Sequence, residues 1–287
     1  MKHTDYYKVA EHTFIVCSNL SFDNYKPFIV AETADTLFAL DVQETTANIP
    51  FTQELAQDDE GQRIICGHTH NNEPVFEFWD GAQKAGLLLC QSDYRSNILY
   101  LEHGFERFAT DNALMILFAL ASAHKSTLLF HSSVIAYNGA GYMFLGKSGT
   151  GKSTHSRLWL QHIEGTDLLN DDNPAVRILP DGIRVYGTPW SGKTECYKNL
   201  SCTLGGIVML SQAPENRIRE LKGVIAYASL IPSISGKRWD KSIADSLHLS
   251  ETQIIEQIPM WHLECLPDAA AALLCKNTVT CNQTQII

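Results

Sequence analysis

Gly146-Lys147-Ser148-Gly149-Thr150-Gly151-Lys152-Ser153 has the form G-x-x-x-x-G-K-[ST]. In such a turn the backbone N–H groups curl around phosphate oxygens. The lysine ammonium reaches the β and γ oxygens, and the final hydroxyl is placed to ligate Mg²⁺. A bare match arises by chance, so the flanks decide. Upstream, Tyr142-Met143-Phe144-Leu145 is an apolar run long enough for a buried strand. Downstream, Thr154 to Ile163 contains no Gly or Pro and sets Trp159 and Ile163 four residues apart. That spacing predicts a short helix whose N-terminal dipole faces bound phosphate. Strand, loop and helix follow in the required order. The predicted nucleotide contacts are Gly146, Ser148, Gly149, Thr150, Gly151, Lys152, Ser153 and Thr154.

Beyond the loop, Thr166-Asp167-Leu168-Leu169-Asn170 reads as the next strand, followed by Asp171-Asp172. Adjacent carboxylates at a strand end diverge, so one can serve a metal and the other an acceptor hydroxyl. The sequence leaves the order of the two open; we take Asp171 as the base that accepts the nucleophile's proton and Asp172, with Ser153, as the Mg²⁺ partner. His131, in Phe130-His131-Ser132-Ser133, precedes a hairpin that returns to the loop and is a further candidate catalytic group.

A second formal match, Gly187-Thr188-Pro189-Trp190-Ser191-Gly192-Lys193-Thr194, makes a poor phosphate cradle. Pro189 has no N–H to offer and Trp190 is bulky where small residues are needed. It nevertheless follows a predicted hairpin, Val176 to Tyr186, that turns at Pro180-Asp181-Gly182. The chain therefore comes back toward the aspartates, and Lys193 is expected to touch the transferring phosphoryl group or an anionic acceptor.

Composition narrows the function class. The 287 residues, 45% hydrophobic and 19% charged, suit a globular chain with a large core. Lys and Arg number 22 against 32 Asp and Glu, a net −10 without a basic stripe, so nucleic acid is not an expected partner. The longest apolar run of the helical region, Ala113 to Ala121, is too short to span a bilayer. The N-terminus lacks the apolar core of a secretory signal. None of the eight cysteines forms C-x-x-C, and several lie in apolar runs such as Leu87 to Cys90. That is the pattern of reduced thiols in a cytoplasmic protein.

Residues 1–105 read as a small antiparallel, strand-rich region. The candidate strands are Thr13 to Cys17, Phe28 to Val30, Leu37 to Leu40, Val75 to Trp79, Leu87 to Cys90 and Ile98 to Leu101. His68-Thr69-His70 could put two imidazoles on one strand face, but with no third metal ligand it reads as an exposed strand or turn with two unrelated histidines. Asp111 to His124 predicts a helix with Leu114, Leu117, Phe118 and Ala121 on one face and Thr110 or Asp111 as N-cap. That helix is expected to open a second domain, 106–287. Ser133 to Tyr137 and Tyr142 to Leu145, joined through Asn138-Gly139-Ala140-Gly141, predict a hairpin, so the loop follows an antiparallel pair.

Together, His131-Ser132-Ser133, the hairpin, Gly146 to Ser153 and Asn170-Asp171-Asp172 resemble the HPr serine kinase/phosphorylase C-terminal domain and the kinase core of phosphoenolpyruvate carboxykinase. The resemblance spans about 130 to 200. It continues weakly through Lys237-Arg238-Trp239-Asp240, Met260 to Cys265 and Pro267 to Ala270. It implies an α/β (α+β) chain in which a carboxykinase-like P-loop domain follows the strand-rich region. It also implies ATP and Mg²⁺ as cofactors, a serine or small-molecule hydroxyl as acceptor, and a homo-oligomer. Thr154 stands where the HPr kinase loop carries Glu, and the later phosphorylase signature and the carboxykinase substrate segments are absent. The implied activity is therefore a looser ATP-dependent kinase. The alternatives are a nucleotide-sensing regulatory module and a plain NTPase.

Overall fold

The computed structural model describes residues 2–59, 61–192 and 194–281. It is a mixed α/β protein with two nine-stranded sheets and few helices. The chain divides into two compact units, Met1–Ser122 and Ala123–Ile287.

The first unit contains β1 (His3–Val9), β2 (His12–Ser18), β3 (Ile29–Val30), β4 (Ala39–Gln43), β5 (Thr52–Asp59), β6 (Gln62–His68), β7 (Pro74–Asp80), β8 (Gln83–Cys90), β9 (Ser96–Leu101) and α1 (Glu106–Ser122). The strand order is β3-β1-β2-β4-β9-β8-β7-β6-β5. The expected antiparallel arrangement is corrected at β4, which pairs in parallel with both β2 and β9. Hairpins cannot make such pairs, so the segments between these strands act as crossovers.

Helix α1 begins five residues earlier than its predicted start. Thr110 and Asp111 lie inside it and cap nothing. Asp111 instead accepts hydrogen bonds from Tyr25 Oη (2.7 Å) and Asn24 Nδ2 (3.2 Å). Ala109, Ala113, Leu114, Leu117 and Phe118 are buried, and the helix packs on β7, β8 and β9. A Cβ at Gly86 would stand 3.1 Å from Ala109 Cβ and 2.8 Å from Tyr100 O, so glycine permits this approach. The helix thus belongs to the first compact unit, and the division falls after Ser122. His68 and His70 do not share a strand face. β6 ends at His68, which bonds Glu54 at 3.0 Å, and the chain then turns at Thr69. No metal-binding cluster of His, Cys, Asp or Glu occurs among the described residues.

The second unit begins with β10 (Thr127–Leu129), β11 (Ser132–Tyr137), β12 (Ala140–Leu145), α2 (Lys152–His162), β13 (Thr166–Asp172), β14 (Ala175–Leu179), β15 (Gly182–Tyr186) and β16 (Ser201–Gln212). It continues with β17 (Arg217–Leu221), α3 (Gly223–Leu230), α4 (Lys241–Gln257), β18 (Met260–Cys265) and α5 (Ala269–Val279). Asn138 and Gly139, with φ of 50° and 80°, form the two-residue turn between β11 and β12; Ala140 and Gly141 already belong to the strand. Positive φ at both positions is the mark of a type I′ turn, whose twist matches the strands. β12 then has β11 on one side, antiparallel, and β16 on the other, parallel. The twelve-residue β16 pairs with β15 through its first residues and with β18 through its last six.

The core of this unit lies between one sheet face and α2 with α5. Tyr142, Phe144, Trp159, Val208, Leu210, Trp261, Leu263 and Cys275 meet there. Trp159 is fully buried, with Tyr142 and Phe144 at ring separations of 5.6 Å. No disulfide joins the cysteines, and no helix among the described residues is long and apolar enough to cross a membrane. Because Trp159 is fully buried in this cluster, Trp159→Ala should cost about 3–5 kcal/mol by cavity formation. Urea denaturation followed by far-UV circular dichroism reads that loss.

Candidate functional site

The segment after β12 turns before α2 begins. Gly146 (φ 153°) tolerates no side chain, since a Cβ there would collide with Thr150 Oγ1. Thr150 closes the turn, donating from its N (3.1 Å) and its Oγ1 (2.6 Å) to Lys147 O. Gly151, at φ 104°, occupies the N-cap of α2 in a left-handed conformation open to glycine, and no side chain caps the helix start. Lys152 and Ser153 are the first two helical residues. On the β16 side, Gln212 Nε2 donates to Gly149 O at 3.1 Å.

Lys152 Nζ donates to Gly146 O (2.9 Å) and meets His131 Nε2 at 2.9 Å. An ammonium offers only donors, so Nε2 accepts and the ring proton sits on Nδ1. Nδ1 lies 3.0 Å from Asp172 Oδ1, giving a continuous Lys152–His131–Asp172 chain. Asn173 Nδ2 donates to the other oxygen of Asp172 at 2.8 Å. The strand β13 runs through both aspartates, two residues further than the sequence suggests, and pairs Ser133 with Asp171 and Ser132 with Asp172.

Direct partners in an antiparallel pair share a face. Ser133 Oγ meets Ser156 Oγ of α2 at 2.6 Å, so Asp171 lies on the α2 face and Asp172 on the opposite one. Asp171 is 5% exposed, and its Oδ1 has no hydrogen-bond partner among the described residues.

Three groups expected to cooperate are therefore in contact, Lys152, His131 and Asp172, whereas Asp171 follows Asn170 on the opposite face of β13 from Asp172. Ser153 and Thr154 lie in the first turn of α2, where Thr154 Oγ1 accepts from Arg157 at 3.5 Å. Lys193 lies outside the described residues. The loop before it does return to the aspartates. Ser191 bridges Asp172, and a Cβ on Gly192 would stand 3.1 Å from Asp171 O and 3.3 Å from Asp172 Cβ.

Sequence reading missed the polar frame behind the pair. Asn170 accepts from Asp172 N (3.0 Å) and donates to Thr188 Oγ1 (3.1 Å) and Trp190 O (3.2 Å). Thr188 Oγ1 donates to Asn173 O at 2.7 Å. An Asn directly before two aspartates, and a Thr two residues before Trp190, were the available signals. Also missed was a cluster at the ends of β16 and β18, where His262 meets Ser211 Oγ (2.8 Å) and Arg219 (3.2 Å). Burial, and then the Arg219 charge, lower the His262 pKa.

No protein-family model and no curated protein matches the chain. Among solved structures it is similar to the Hpr(Ser) kinase/phosphatase from Coxiella burnetii, at 13% identity and a TM-score of 0.33, over 55% of this chain and 97% of that one. The relationship is distant, and the functional reading rests on the geometry of the site itself.

The helix that carries Lys152 contains a buried titratable group. His155 accepts from Trp159 Nε1 at 3.1 Å, and burial lowers its pKa from 6.5 to about 4. Between those two values the unfolded chain binds the extra proton, so the stability His155 contributes is complete above pH 6.5 and falls as the pH drops. Going from pH 7 to pH 5 should cost about 2 kcal/mol through this residue. His155→Gln, which cannot titrate, should remove that part of the pH dependence in paired urea denaturations.

Proposed function

We propose that the chain binds ATP with Mg²⁺ and transfers the γ-phosphoryl group to a hydroxyl, either a protein serine or a small molecule. The observation that carries this reading is the Lys152–His131–Asp172 chain beside the glycine turn, joined along β13 by a second, buried carboxylate, Asp171, whose Oδ1 has no hydrogen-bond partner among the described residues. A site that only held a nucleotide would have no use for a second carboxylate, uncommitted at one oxygen, directly beside the first in sequence. Phosphoryl transfer needs three protein functions: a cradle for the phosphates, a cation, and an acceptor for the nucleophile's proton.

Gly146 to Thr154 supply the cradle and the cation, with Lys152 exchanging its present acceptors for phosphate oxygens. Both Asp172 oxygens accept hydrogen bonds, from His131 and Asn173, and the remaining lone pairs suit a metal whose ligand carboxylate is held from behind. Asp171 keeps Oδ1 uncommitted, as a proton acceptor must. Bound through Asp172 and Ser153, Mg²⁺ would neutralise charge on the β and γ oxygens. His131 holds Lys152 and Asp172 in register, so a change at either is felt at the other. We place the protein in the cytoplasm, on the scattered, apolar setting of its cysteines in the sequence.

Lys152→Ala should weaken ATP·Mg²⁺ binding, and a calorimetric titration showing unchanged affinity would refute the site. Asp171→Asn should keep binding but lower transfer by roughly 10²–10⁴-fold, whereas Asp172→Asn should raise the Mg²⁺ concentration required. Exchange of the two phenotypes would reverse the roles, and full turnover in both variants would end the kinase reading. ADP release measured with and without hydroxyl acceptors separates transfer from hydrolysis.

A further inference from the structure

β12 has a different neighbour on each side, and the loop that follows it lies between two unlike groups of side chains. On the β11 and β13 side stand His131, Asp171 and Asp172. On the β16 and β18 side stand Ser211, Gln212, His262, Glu264 and, from β17, Arg219. A triphosphate whose γ end faces the carboxylates leaves the loop on the β16 side, so its nucleoside must lie near the ends of β16 and β18. Gln212, bonded to Gly149 O, ties that edge to the loop.

The chemistry of that edge is specific. Leu210 and Leu263 are buried in the core, so Ser211 and Glu264, the next residue on each strand, turn to the opposite face. They are direct partners in the β16–β18 pairing and share that face. Arg219 is a pure donor, so His262 Nδ1 accepts from it, and Nε2–H then donates to Ser211 Oγ at 2.8 Å. The hydroxyl proton of Ser211 is thereby left to donate elsewhere. The Glu264 carboxylate accepts no hydrogen bond and makes no ion pair among the described residues. One donor and one acceptor thus stand side by side on adjacent strands, beside the loop. A second phosphate would be repelled by Glu264. A vicinal diol, which both donates and accepts, satisfies both groups.

Resting on the nucleotide reading above, we infer that Ser211 and Glu264 bind the ribose hydroxyls of the nucleotide, with Arg219 and His262 fixing the direction of the Ser211 hydroxyl. The site therefore prefers ribonucleotides to their deoxy analogues.

The test compares three Mg²⁺-loaded ligands by calorimetry on the full chain: ATP, 2′,3′-dideoxy-ATP and inorganic tripolyphosphate. The wild type should bind ATP about tenfold more tightly than dideoxy-ATP, the worth of one or two hydrogen bonds. Glu264→Gln and Ser211→Ala should shrink that ratio toward one while tripolyphosphate affinity stays at the wild-type value. Retained tripolyphosphate binding also reports that each variant is folded. An unchanged ATP to dideoxy-ATP ratio in both variants would overturn the inference but leave the phosphate loop standing. So would an equal loss for all three ligands. Failure of the wild type to bind either ATP or tripolyphosphate would remove both readings.

Discussion

A lysine ammonium held at a glycine turn must find acceptors, and the arrangement around the loop follows from how Lys152 finds them. The Gly146 carbonyl supplies one and the His131 ring another. Accepting at Nε2 forces the His131 proton onto Nδ1, which directs it to Asp172. Asp172 is steadied in turn by Asn173 and, through its backbone N–H, by Asn170. Asn170 then pins the returning loop at Thr188 and Trp190. A single cation thus determines a tautomer, a carboxylate orientation and the path of a loop, each by hydrogen-bond donors and acceptors that must be matched when partly withdrawn from water.

The apolar layer behind the site gives this chain its footing. Trp159 is packed between Tyr142, Phe144 and Tyr137, which holds α2 against the sheet immediately behind the turn. Alternation along β13 does the remaining work. It sends Asp171 to the helix side beside the Ser133–Ser156 pair and Asp172 to the other side. Two adjacent residues of the same chemistry thereby acquire different surroundings.

Much of this was legible because its signals are local. The glycine turn, the Asn138-Gly139 hairpin and the aspartate pair are each set by a few consecutive residues. What escaped reading was set by distant partners or by polar strands. β5, Thr52 to Asp59, is mostly exposed and shows no apolar alternation, so only its pairing with β6 makes it a strand. The parallel neighbours of β4 are chosen by tertiary packing. Helix α4 buries Ile243, Leu247 and Ile254, but its inner face also carries Ser250 and Glu251, which breaks the apolar stripe. Glu251 is tolerated there because Arg238 (2.7 Å) and Tyr227 (2.9 Å) reach it from elsewhere in the chain. The Ser211–His262–Arg219 cluster joins residues 43 and 51 positions apart, which no motif scan would connect.

The hairpin between β11 and β12 also bears on how the protein is made. His131, Lys152, Asp171, Asp172 and Ser191 all fall within one continuous stretch, and the contacts of Lys152 with His131, His131 with Asp172 and Asp172 with Ser191 lie within it. Short-range pairings close with little loss of chain entropy and therefore form quickly. β16 and β18, which complete the other flank of the loop, come later in the chain and pair in parallel. During synthesis the half of the site that holds the carboxylates has all of its residues before the half beside β16 has emerged. The order of translation thus runs from the γ-phosphate end of the site toward its opposite edge.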